Sequence, residues 1–173
     1  MWDFFETIRH RHSVRKYQHE RPVEPERLHA ILEAAVSAPS AGDLQSYRIL
    51  VITDADTRMA LQGAANDQPF VGQAPVCLVF CSEPALAERE FGERGRELYA
   101  VQDATIAAAY AQLAVVAAGM GSTWVGYFDE AAVTKVLDLE AGLKPIAMLS
   151  LGYPAELPEP TARRHLDEVV SYR

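Results

Sequence analysis

The sequence predicts a single domain that mixes helices and strands around one long buried helix. Three observations carry this. The chain has 173 residues, 49% of them apolar and 23% charged, which suits one globular unit with a real core. Short apolar runs of strand length alternate with segments of helical periodicity. Above all, apart from Thr105, Tyr110 and Gln112, every residue from Ala104 to Ala118 is aliphatic. Alanine is the best helix former, Asp103 places negative charge in the first turn, and Gly119 and Gly121 supply a stop. From Asp103 to Ala118 this is a rod of about 24 Å.

A helix apolar on nearly every side needs burial nearly all round. Three settings satisfy that: a membrane span, a core helix within one subunit, or a helix held between its own sheet and a second subunit. The run is shorter than the ~20 residues a span usually takes. The sequence leaves the second face open.

Taken in order, Trp2, Phe5, Ile8 and Arg9 are spaced for a short amphipathic helix. It runs into the basic stretch Arg9-His10-Arg11-His12-Ser13-Val14-Arg15-Lys16-Tyr17. In a chain of net charge −8, a general nucleic-acid or anionic-membrane surface is disfavoured, so a basic site must be local. Guanidinium forks from Arg11 and Arg15 with the Ser13 hydroxyl suit phosphate oxygens; a solvated turn is the plain alternative. Pro22 and Pro25 bracket an extended linker, and Pro25 opens a helix with Leu28, Ile31, Leu32, Ala35 and Val36 on its apolar side. A polar loop, Ser40 to Tyr47, leads into Arg48–Ile52, expected as a strand buried on both faces.

Asp54 is expected to cap a helix over Thr57–Ala65, and Asn66–Phe70 to turn into a second buried strand, Ala74–Cys81. The charged segment Ser82–Leu98 reads as a solvated helix or lid. After the central helix come a short strand or turn over Ser122–Phe128, a helix capped by Asp129 and reaching about Leu139, and a third buried strand, Pro145–Tyr153. Pro154, Pro158 and Pro160 keep the tail extended, and Arg163–Arg173 alternates enough to add an edge strand somewhere.

Several chemistries find no support. Gly119-Met120-Gly121 follows a helix, whereas a dinucleotide fingerprint needs strand, glycine turn, then helix. The five histidines show no paired spacing with acids for a metal. Cys77 and Cys81, four apart in one strand, sit too far apart to bridge, and neither has a neighbouring base. They read as free thiols in a reducing compartment, and the acidic N-terminus lacks the pattern of a signal peptide, so the cytoplasm is expected. An anion pocket without a side-chain catalyst points to a bound cofactor that carries the chemistry.

Arg11-His12-Ser13-Val14-Arg15 resembles the flavin phosphate and ribityl motif of the FMN-dependent nitroreductase family. Ala38-Pro39-Ser40-Ala41-Gly42-Asp43-Leu44-Gln45 resembles that family's second motif. Ala74-Pro75-Val76, Gln102-Asp103-Ala104, Gly121 to Gly126, Leu151-Gly152-Tyr153-Pro154 and the basic pair Arg163-Arg164 follow in family order. The resemblance covers essentially the whole chain. It implies an α+β, nitroreductase-like fold: a central mixed sheet flanked by helices, in an intertwined homodimer with FMN in the subunit interface. Residues 1–173 would form one domain, with 154–173 an arm onto the partner.

By the same resemblance, Arg11, Ser13 and Arg163 or Arg164 hold the phosphate, and His12 and Arg15 lie near ribityl or ring oxygens. Pro39, Ser40 and Asp43 approach the ring from the second copy, Trp124, Val125 and Gly126 line its N5 side, and Gln68 touches its pyrimidine edge. Phe70, Tyr99, Trp124 and Phe128 are candidate walls of a substrate slot, or plain core aromatics. The implied activity passes a hydride from NAD(P)H through flavin N5 to a nitroaromatic, quinone or related acceptor. A flavin-consuming or dehalogenating enzyme and a flavin carrier without turnover are the alternatives. The chain departs from the family pattern at Asp43, where asparagine is usual, at Ser46-Tyr47, where Pro-Trp is usual, and in the short Ser82–Leu98 segment.

Overall fold

The computed structural model describes residues 3–173; Trp2, assigned above to the first helix, lies outside them. Seven α-helices and four strands are ordered α1 (Phe4–His10), α2 (Pro25–Val36), β1 (Tyr47–Ile52), α3 (Ala55–Ala64), α4 (Pro69–Gln73), β2 (Val76–Ser82), α5 (Pro84–Arg94), α6 (Ala100–Ala117), β3 (Gly121–Val125), α7 (Glu130–Val136) and β4 (Lys144–Gly152). The caps read from sequence are in place. Asp54 accepts from the Thr57 N–H and Asp129 from the Ala132 N–H, closing the first turns of α3 and α7.

The sheet runs β1-β2-β4-β3, with every neighbouring pair antiparallel. The expected mixed character reduces, within this chain, to one parallel bridge between Ser13 and Ser122 beside β3. β2 is buried at every residue because it has a strand on each side and helices on both faces. Alternate side chains divide between two cores. Leu78 and Phe80 of β2 with Leu149 and Leu151 of β4 meet α2 and α6. Cys77, Val79, Cys81 and Met148 meet α3, α4 and α7 through Leu61, Val71 and Val133.

β1 corrects an expectation. It is an edge strand rather than one buried on both faces, and Arg48 and Val51 are exposed. Arg48 points outward to Glu83 (3.6 Å) and Glu140 (3.7 Å). The C-terminal residues, expected to add an edge strand somewhere, find no strand partner within this chain. They form no strand; Leu166–Glu168 makes a single 3₁₀ turn, and residues 159–173 are exposed throughout. An alternating pattern needs a neighbouring strand to pair with, and this chain supplies none there.

α6 is about 27 Å long and lies across the sheet. Ala104, Ala107, Ala108 and Ala111, spaced three and four apart, are fully buried against it, and their small side chains let the helix approach closely. The opposite side carries Thr105, Ala109, Tyr110 and Ala117 and is exposed. Burial is therefore one-sided within the single chain. The outer face borders an apolar groove of about 510 Å³ lined by Phe4, Thr7, Ala34, Tyr110, Leu113, Ala114 and Ala117. The charged segment before α6 is helical too, broken by Gly92 (φ 60°) and joined to α6 by a π turn, Gly95–Tyr99.

Candidate functional site

One half of the site is built along the free edge of β3. The Val14 N–H donates to the Ser122 carbonyl (3.0 Å) and the Thr123 hydroxyl to the Val14 carbonyl, so residues 11–15 lie beside β3 like a short extra strand. Gly121 makes this possible, since a Cβ there would sit 2.5 Å from Val14 Cγ2. Tyr17 anchors the strip from below. Its hydroxyl lies 2.7 Å from the Val14 carbonyl and 3.0 Å from that of Ser150, and burial pushes its pKa up to about 12.

The start of the C-terminal tail is fastened to the same strip. Gln18 N–H donates to the Tyr153 carbonyl, Ala155 N–H to the Lys16 carbonyl, and Arg15 N–H to Glu156 (2.9 Å). The tail then brings the Arg163 charge within electrostatic reach of Arg11, while the Arg163 guanidinium donates to the Thr161 hydroxyl (2.6 Å) and carbonyl (3.2 Å). Partial burial and the neighbouring Arg163 charge, in that order, hold the Arg11 guanidinium below its ordinary pKa. Among the described residues neither arginine forms an ion pair. Arg164 is turned away and engaged with Glu168 (3.1 Å). His12 and Ser13 are half-buried in the strip, and the Ser122 hydroxyl beneath it is buried without a partner.

Further along, the Arg15 guanidinium sits 5.8 Å from the centre of the Phe70 ring. Phe70 shares its core with Val125, and Phe128 packs against it. The Gln68 amide donates to the carbonyls of Ala65 (2.8 Å) and Tyr127 (3.1 Å), tying α4 to the loop after β3. Trp124 and Val125 point to opposite faces of β3, Trp124 towards the α6 core, and Gly126 lies against the Trp124 indole.

The other half is the loop before β1. Pro39 and Asp43 are exposed and Ser40 is half-buried. Gly42, Asp43 and Gln45 all have positive φ, between 51° and 57°. Phe91 of α5 packs on Gly42, where a Cβ would meet its ring at 2.9 Å. Tyr99 stands edge-on to Phe91 (5.3 Å) and accepts from the Arg94 Nε–H (3.1 Å), so it belongs with this half rather than with Phe70 and Phe128.

The structure does not bring the two halves together within one chain. β1 and β3 are opposite edges of the sheet, three strand spacings apart. Tyr47 is level with Ser82 and Ser122 with Val76, six residues along β2. At about 4.8 Å per strand and 3.4 Å per residue, the corners lie about 25 Å apart. Asp103 and Ser46, which brace the loop, were not singled out as site residues by sequence. The signal was there: a lone acid in an apolar helix needs donors wherever it is buried.

The sequence profile of the Nitroreductase family matches residues 8–72 and 62–153. A protein of Thermus thermophilus described as NADH dehydrogenase is 36% identical over 94% of this chain and 92% of its own length. The oxygen-insensitive NADPH nitroreductase of Salmonella typhimurium is 31% identical over 91% of this chain and 68% of its own. Among solved structures, the NADPH:FMN oxidoreductase of Vibrio harveyi in complex with NAD⁺ superposes with a TM-score of 0.88 at 27% identity, covering 97% of this chain and 76% of that one. This chain belongs to the nitroreductase family.

Proposed function

We propose that the chain is an NAD(P)H-dependent flavin oxidoreductase that holds FMN between two copies of itself and reduces small flat acceptors such as nitroaromatics or quinones. The observation that carries this is that the Arg163 charge, from the far end of the polypeptide, acts on Arg11, with neither guanidinium in an ion pair among the described residues. Two like charges held near one another favour an anion as ligand, and a phosphate monoester matches both forks. The residues therefore fit FMN. Bound FMN supplies a two-electron relay between nicotinamide and acceptor.

The chain's own task is to bind, orient and exclude water. Arg11, Ser13 and Arg163 or Arg164 hold the phosphate; Arg163 would exchange its bond to the Thr161 hydroxyl for it, and Arg164 its exposed pair with Glu168. His12 and Arg15 serve the ribityl and ring oxygens, and the Arg15 charge favours the ring when it is electron-rich. Gln68 keeps the Tyr127 loop in place beside the pyrimidine edge, while Trp124, Val125 and Gly126 form the wall on the N5 side. Pro39, Ser40 and Asp43 of the partner subunit close the other side. The acceptor enters between Phe70 and Phe128 of one copy and Tyr99 of the other. The 154–173 arm, exposed from residue 159 on, reaches the partner, and the two free thiols suit the cytoplasm.

The test is the visible spectrum and mass of the purified protein, followed by anaerobic titration with NADH and with NADPH. A yellow dimer bleached by either nicotinamide and recoloured by a quinone is expected. A colourless monomer that takes up no added FMN overturns the reading.

A further inference from the structure

Asp103 is 2% exposed on a helix whose other buried residues are alanine and valine. A carboxylate there must be fully bonded, and it is, by one short segment only. Oδ1 accepts from the Ala41 N–H (3.0 Å), and Oδ2 from the Ser46 N–H (3.3 Å) and Ser46 hydroxyl (2.5 Å). The carboxylate thus clamps both ends of the turn that contains Gly42, Asp43 and Gln45.

We propose that Asp103 is a positioning residue, a latch that fixes the 41–46 turn and through it the aim of Ser40 and Asp43 at the flavin ring of the second copy. This rests on the proposed function for its target, but the latch itself is internal to the chain. Left-handed backbone at Asp43 and Gln45 is costly and persists only where surroundings over-determine it. Gln45 contributes through its N–H to Ser40 Oγ (3.0 Å) and its amide to the Val36 carbonyl (2.9 Å), and Phe91 presses on Gly42. The Gln45–Ser40 bond and the Leu44 N–H to the Ala41 carbonyl close the turn from within; Asp103 is the buried group that fastens both Ala41 and Ser46 to α6. Two of its three donors come from Ser46, which stands where the resembled motif has proline, a residue with neither an N–H nor a hydroxyl. The Ser46 side of the latch therefore departs from the resembled motif, and the turn it holds carries an acidic rather than an amide side chain at position 43.

The test compares wild type, Asp103→Asn and Ser46→Ala. Asparagine keeps the volume but turns an NH₂ towards a donor, and alanine removes one hydroxyl. In flavin-free protein, amide exchange at Ala41 and Ser46 is expected to quicken ~10- to 100-fold in Asp103→Asn, as for loss of hydrogen bonds to a charge. In FMN-loaded protein, FMN retention is expected to hold while the flavin absorption band shifts and kcat falls with little change in KM for the nicotinamide. Ser46→Thr, which restores the hydroxyl, is expected to recover the band. A lowered melting temperature with unchanged exchange at 41–46, band and kcat overturns the proposal. Should Asp103→Asn fail to fold, the Ser46→Ala and Ser46→Thr pair decides the matter by the same readouts. A wild type that binds no FMN overturns the proposed function and the flavin target, and the exchange arm still decides whether the latch exists.

Discussion

Replacing Arg163 by alanine is expected to move the free protein and the FMN complex in opposite directions. In the free protein the Arg163 charge acts on Arg11 and neither forms an ion pair among the described residues, so its loss relieves repulsion, offset only by its exposed bonds to Thr161. Arg163 is exposed and Arg11 half-exposed, so solvent screens the pair and the relief stays below about 1 kcal/mol. In the complex the same substitution deletes a charge-assisted contact to phosphate worth ~1.5–3 kcal/mol, or roughly 10- to 150-fold in Kd. Arg163→Lys keeps the charge without the fork and should fall between. Thermal melting of the flavin-free protein and fluorescence titration with FMN measure the two effects. Added salt should raise the melting temperature of wild type more than that of the variant, because only wild type carries the repulsion. The reasoning is refuted if Arg163→Ala destabilises the free protein, as breaking an ordinary ion pair does, or if FMN affinity is unaltered.

Gly121→Ala would set a methyl 2.5 Å from Val14 Cγ2 and 2.9 Å from its Cβ; Val14 is pinned by Ser122 and Thr123, so a loss of ~1–3 kcal/mol in urea melts is expected, together with weaker FMN binding. Tyr17→Phe leaves the Val14 and Ser150 carbonyls without their hydroxyl, and a loss of similar size, ~1–3 kcal/mol, is expected from the same measurement. Burial raises the pKa of Cys77 to about 12, of Cys81 to about 11 and of Tyr17 to about 12. The unfolded chain releases these protons near their ordinary values of 9 and 10 while the folded chain retains them. Stability is therefore full below pH 9 and falls as pH rises towards 12, by about 1.4 kcal/mol per unit for each group in its window. Cys77→Ala should show a shallower alkaline decline in denaturant midpoints.

Local chemistry made some of this readable in advance. Asp54 and Asp129 announce helix starts because a cap acts on an N–H three residues on, within the reach of sequence. β2 and β4 declare themselves as largely apolar runs, Val76–Cys81 and Pro145–Leu149. β1 looks the same locally, yet it is an edge strand, since what distinguishes edge from centre is the number of neighbours and not the strand's own residues. Arg48 was the one local hint. The turn expected at Asn66–Phe70 runs on into α4, which begins at Pro69, a residue suited to a first helical position. In the site, Arg11, Ser13 and Arg15 were found as a basic strip because they are contiguous. The role of Asp103 was not, because its donors lie 57 and 62 residues away.

The length of α6 relates the two halves. Its first turns hold the 41–46 loop through Asp103, and its last residue leads into Met120 and Gly121 against the Val14 strip. One helix therefore spans the diagonal that separates the ring-facing loop from the phosphate strip. A two-fold axis crossing the outer face of α6 would set the loop corner of each copy by the phosphate corner of the other, and so generate two equal sites. That face has the character such a contact requires: Tyr110, Leu113 and Ala117 beside Phe4 and Ala34 around an apolar groove, with no charged residue among the described residues that line it. The small side chains that let α6 lie close on its own sheet continue at Ala109 and Ala117 on the outside, where they would let a second α6 approach as well. In the proposed pair, the poor amphipathicity of this helix would follow from having two partners, and the contact of α6 with its copy would set the spacing of the two halves of each site.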